Sequence, residues 1–127
     1  MNKAILIARI LLGALFAFSG LNIILHLFNP PPPPGDAGVY MTLLFSHHIF
    51  NFVGLLMLVA GILLLVGRFV PLALVLLGPI LVNILLFHVL IEPKGMIPGC
   101  ISTALEIFLI VAYRKSFRGL FDAAPEL

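Results

Sequence analysis

The stretch Phe69–Leu90, FVPLALVLLGPILVNILLFHVL, decides how this chain is read. It is continuously apolar and long enough to cross a hydrocarbon core of about 30 Å, which takes roughly 20 helical residues. It also carries Pro71, Pro79, Asn83 and His88, four residues that a helix facing only lipid does not need. Pro71 falls in the first turn, where a missing N–H costs little. Pro79 falls at mid-span, where it releases the carbonyl of Val75 and predicts a kink, a cost tolerated when neighbours or a cavity satisfy that carbonyl again. Asn83 and His88 are five residues apart, about 140° around a helix, so they do not face one point. His88 is therefore ranked ahead of Asn83 as a site residue.

The rest of the chain extends this pattern. Of its 127 residues, 62% are hydrophobic and 9% charged, and the mean hydropathy is +1.25. That leaves too little polar surface to coat a soluble globule. Apolar runs over about 4–28, 39–66, 70–90 and 97–113 predict an all-α fold, a four-helix transmembrane bundle forming a single domain over 1–127. Continuously apolar runs of this length do not suit a membrane β-barrel, whose strands alternate. The amino terminus resembles a secretory signal, but its apolar run continues to Phe28, beyond a normal signal core, so it is expected to stay as the first helix. Cys100 is the single cysteine, which removes an internal disulfide or a CxxC couple. A net charge of +2 is too small to point to nucleic acid.

The positions of the charges give a direction. Lys3, Arg9, Arg68, Arg114, Lys115 and Arg118 flank one side of the four runs and Lys94 the other, so the positive-inside rule puts both termini in the cytoplasm. The proline-rich loop 29–38, NPPPPPGDAG, then lies outside. Its five prolines predict a stiff strut of about 15 Å across the outer mouth. The run 39–66 exceeds the membrane thickness, so 39–46 is expected to project outward as a continuation of the same helix.

Gly13, Ala17 and Gly20 form a small-residue stripe on which a neighbouring backbone can approach closely. Measured by depth from the helix ends, His26, His47 and His88 reach the outer hydrocarbon boundary, with Asn22, Asn51 and Asn83 one to two turns below. Intramembrane polar groups are expensive and turn toward the bundle interior. These six residues are the candidate ligand-binding set, a hydrogen-bonding layer for the head of a lipophilic molecule such as a quinone. The plainer alternative is that the histidines bond headgroups or loop carbonyls and the asparagines join helices. No metal-ligand spacing occurs within any helix, so haem or a metal is disfavoured and no metal residues are assigned.

Glu106 is the single carboxylate within a span, and its depth resembles that of Arg9 on the first helix. A structural ion pair between Arg9 and Glu106 is the economical expectation, and a proton-carrying carboxylate the functional alternative. No nucleophile with an adjacent base, no carboxylate pair and no cysteine couple is visible, so no catalytic residue is assigned and independent enzymatic activity is not expected.

The segment ARILLGALFAFSGLN, the outer FNPPPPPG, the hairpin LLMLVAGILLLVGRFVPLALVLLGPILVNILLFH and the closing ALEIFLIVAYRKSFRGLF together resemble DoxX-like small membrane proteins over essentially the whole chain. The resemblance implies a four-helix bundle with cytoplasmic termini in the bacterial inner (plasma) membrane. It also implies a non-catalytic or accessory role in a quinone-linked membrane redox system, docked to another membrane oxidoreductase subunit or to a second copy of itself. Arg9, Asn83, His88 and Glu106 match the family pattern, whereas Met57 stands where relatives often carry an acid. The competing readings are a small hydrophobic-ligand or lipid binding or transport protein, and a purely structural membrane subunit.

Overall fold

The computed structural model describes residues 2–28 and 30–126; Asn29, the first residue of the expected 29–38 loop, and the two terminal residues of the expected 1–127 domain lie outside the described residues. The described chain is all-helical. It comprises α1 (Asn2–Leu25), α2 (Asp36–Ser46), α3 (Ile49–Val66), α4 (Val70–Leu90), α5 (Met96–Ala112) and a terminal 3-10 helix (Arg114–Phe121). Helices α1, α3 and α4 are each long and apolar enough to cross a membrane. Helix α5, with 17 residues, is at the short end of the spanning range, and the 3-10 helix leaves it at 82°. The protein is thus a multi-pass membrane protein, with three candidate spans among the described residues, or four when α5 and its bent continuation are taken as one. Large apolar side chains such as Phe18, Leu55, Leu72 and Ile107 stand exposed around it, as expected of a surface whose solvent is lipid.

Helix α1 packs on α3, α3 on α4, α4 on α5, and α5 returns to α1. The α1–α3 pair is the most extensive, and glycine makes it so. A Cβ added to Gly20 would strike the carbonyl of Gly54, one on Gly61 would strike the Ala17 nitrogen, and one on Gly13 would lie 2.9 Å from the Gly61 oxygen. Gly13 and Gly20 thus meet Gly61 and Gly54 in antiparallel register. Lipid tails are as apolar as leucine, so helices in a membrane associate through close van der Waals contact, which such stripes permit. Leu12, Leu64, Leu74, Leu77 and Leu109 fill the centre, fully buried.

One expected element divides. The run 39–66 is not a single helix: it breaks at His47 and His48, and His48 adopts a left-handed conformation (φ 60°). The separate α2 begins earlier, at Asp36, and buries Ala37 and Gly38. The Pro33 carbonyl rests where a Gly38 side chain would sit, so the proline segment is packed on the start of α2. Helix α1 likewise stops at His26 (φ 54°), three residues short of the expected end at Phe28. Between α3 and α4 the turn closes on Gly67 (φ 75°), with the amides of Gly67 and Arg68 donating to the Leu63 carbonyl at 3.0 and 3.2 Å. Helix α4 runs through Pro79 as one element.

Candidate functional site

The polar residues expected in one layer separate into two groups. At the end where α1 stops, His26, His48, Asn51 and Phe45 line a cavity of about 350 Å³. His26 and Phe45 also line a neighbouring cavity of about 430 Å³, whose other walls include Asn22, Phe50 and the prolines 30–33. The proline segment is therefore one wall of the larger cavity. Its aromatic side is continuous: the His26 and Phe45 rings lie 5.5 Å apart and the Phe45 and Phe50 rings 4.8 Å.

Hydrogen bonding fixes which atoms of this site are free. Asn51 Nδ2 lies 3.3 Å from His48 Nδ1. In the tautomer with its proton on Nε2, His48 Nδ1 accepts from that amide. Asn51 Oδ1 is enclosed and has no hydrogen-bond partner, a buried acceptor of the site still to be satisfied. Asn22 is committed: its Oδ1 accepts the Phe28 amide at 2.7 Å and ties the loop back onto α1.

The remaining three candidates lie elsewhere. His47, at the carboxyl end of α2, is exposed and lines neither cavity. His88 Nδ1 donates to the Ile84 carbonyl at 2.8 Å, and its Nε2 would be 3.1 Å from a Cβ on Gly95, so the ring packs on the α4–α5 turn. Asn83 is exposed and donates from Nδ2 to the Pro79 carbonyl one turn back, at 3.0 Å. That bond satisfies a polar group on an apolar face without any partner helix. The structure therefore assembles His26, His48 and Asn51, with Asn22 at the edge, and separates them from His47, His88 and Asn83. His48 shares the depth of His47, but a continuous helix would point it about 100° away; the cavity takes His48 and leaves out His47. The left-handed break at His48 (φ 60°) leaves no mark in an apolar run.

Arg9 and Glu106 are not brought together. The Arg9 guanidinium covers the bare backbone of Gly67. Glu106 is 4% exposed, and neither of its oxygens has a hydrogen-bond partner. It lines a separate cavity of about 290 Å³ with Gly78, Arg114 and Phe117 at the opposite end of the helices from His26.

Among the described residues no three of His, Cys, Asp and Glu gather closely enough to hold a metal ion. What the His26–His48 site offers is ring nitrogens, an amide and aromatic walls, a chemistry suited to a planar organic ring with hydrogen-bonding edges. In comparisons with protein-family models, with curated proteins and with solved structures, nothing matched the chain.

Proposed function

We propose that this multi-pass membrane protein is DoxX-like and holds the head of a lipophilic quinone in the cavity walled by the proline segment, serving a membrane redox partner as an accessory subunit without catalysing a reaction alone. The observation that carries this reading is the pairing of His26, His48 and Asn51 with the Phe45–Phe50 aromatic wall. With Nδ1 accepting from Asn51, the Nε2–H of His48 would be the ring's donor to a quinone carbonyl. The Phe45 ring supplies an offset surface for the quinone ring. The head would sit against the prolines, and its isoprenoid tail would leave between helices into lipid.

The orientation follows the charges. Lys3, Arg9, Arg68, Arg114, Lys115 and Arg118 belong to the start of α1, the α3–α4 turn and the end of α5. The positive-inside rule then favours a cytoplasmic face there and an outward His26 cavity, in a bacterial inner membrane.

The test is direct. Protein purified in mild detergent is extracted for lipids and scanned from the ultraviolet to the visible, then titrated with ubiquinone-1 in nanodiscs. Co-purified quinone and saturable binding, weakened at least tenfold in His48→Ala, are the expected results. A different co-purified lipid would move the assignment to lipid binding or transport, and an empty, quinone-indifferent protein would leave a structural subunit.

A further inference from the structure

The cavity around Glu106 has a chemistry of its own, independent of the quinone reading. Its carboxyl is buried and without a partner, and faces Gly78, where an added Cβ would still lie 3.8 Å from Oε2. The missing side chain leaves open space beside the acid. Val75 lines the same cavity, and its carbonyl lacks the usual helical donor because Pro79 has no N–H. Glu106 and Val75 thus border one space. The nearby donor, Arg114, has its Nη1 on the Val111 carbonyl at 2.9 Å. Phe117, buried on the 3-10 helix, closes the cavity from the terminal side, while Val75 and Ile110, 43% and 37% exposed, open it sideways to lipid.

We infer that this cavity binds a lipophilic primary amine, whose ammonium bonds Glu106 and the Val75 carbonyl while its chain leaves between Val75 and Ile110 into the bilayer. An ammonium brings three donors and no acceptor, the complement of the unpartnered Glu106 carboxyl. Pairing also removes the penalty of an isolated carboxylate in apolar surroundings, which is otherwise severe. The volume, about 290 Å³, is at the lower end for a ligand site and admits the head and first carbons of a chain. The same ammonium chemistry is carried by a free alkyl amine and by a phosphatidylethanolamine headgroup.

The experiment uses the full chain in phosphatidylcholine nanodiscs, titrated calorimetrically with octylamine against empty-disc controls. Saturable binding to the wild type is expected, at least tenfold weaker in Glu106→Gln and in Gly78→Leu, which fills the space and keeps the acid. On the unaltered protein, octyltrimethylammonium has the charge but no N–H, so it should bind at least tenfold more weakly than octylamine. Octanol should bind the wild type and Glu106→Gln alike. Suppression of octylamine binding in phosphatidylethanolamine discs identifies the lipid as the source of the ammonium, and unchanged binding identifies a free amine. Equal octylamine affinity in the wild type and both variants overturns the assignment. So does equal affinity for the two cations, or loss of binding in Arg114→Ala with retention in Glu106→Gln, which would indicate an anionic ligand.

Discussion

Arg9 of α1 lies over Gly67 of the α3–α4 turn, its guanidinium occupying the space that any side chain at that position would need. The contact covers a glycine already in the left-handed region (φ 75°), and it takes Arg9 away from Glu106. Two groups without contact contribute independently, whereas a buried pair couples by roughly 0.5–3 kcal/mol. A double-mutant cycle of Arg9→Ala and Glu106→Gln, read from thermal unfolding in detergent, should therefore give a coupling energy within about 0.5 kcal/mol of zero. A larger favourable coupling would restore the ion pair that depth alone suggests.

The two classes of membrane glycine should respond oppositely to a methyl group. At Gly61 the new Cβ would collide with the Ala17 backbone. Gly61→Ala should therefore push α1 from α3 and destabilise by about 1–3 kcal/mol. At Gly78 the added Cβ has ordinary contact, 3.8 Å from Glu106 Oε2. Gly78→Ala should gain from helix propensity, by about 0.5–1 kcal/mol. Melting temperatures of the two variants that move in the same direction would contradict the packing described for α1 and α3.

How much of this could be seen in the chain itself follows from what a linear pattern encodes. Hydropathy marks the spans, because every spanning helix must be apolar along its length. The small-residue stripe marks the α1–α3 contact, because only glycine and alanine permit it. Depth is legible too, at about 1.5 Å per residue, and it placed His26, His47 and His88 at one level. The direction in which each side chain points around the bundle is set by tertiary packing, and a left-handed residue such as His48 resets it with no glycine or proline to announce the break. The same gap explains Arg9 and Glu106, which share a depth and face different neighbours.

His26 gives a way to separate folding from binding. It ends α1 at φ 54°, a conformation that costs a non-glycine residue roughly 1–2 kcal/mol. Its ring contact with Phe45, at 5.5 Å, offsets part of that. His26→Gly should leave the melting temperature equal to or above that of the wild type while weakening ubiquinone-1 binding at least tenfold. His26→Val should lower stability by about 1 kcal/mol or more, because a β-branched residue is least suited to this region. Loss of stability in the glycine variant would show that the imidazole is a structural group and would remove it from the site.

His88 and His48 provide the sharpest contrast, because the sequence favours the first and the geometry the second. His88 Nδ1 donates to the Ile84 carbonyl at 2.8 Å, and the ring edge faces the α4–α5 turn. Truncation there removes a local bond, with a net cost of about 1 kcal/mol, and leaves both His26 cavities intact. His48 lines the cavity that His26 shares, and with Nδ1 accepting from Asn51 its Nε2 would carry the ring's donor. His88→Ala should thus retain ubiquinone-1 affinity within about twofold, a difference worth roughly 0.4 kcal/mol. His48→Ala should lose at least tenfold, and His48→Gln, which restores a donor, should recover part of it. Titration of the three variants in nanodiscs decides the matter: an affinity that falls with His88 and survives at His48 would place the quinone head at the α4–α5 turn instead.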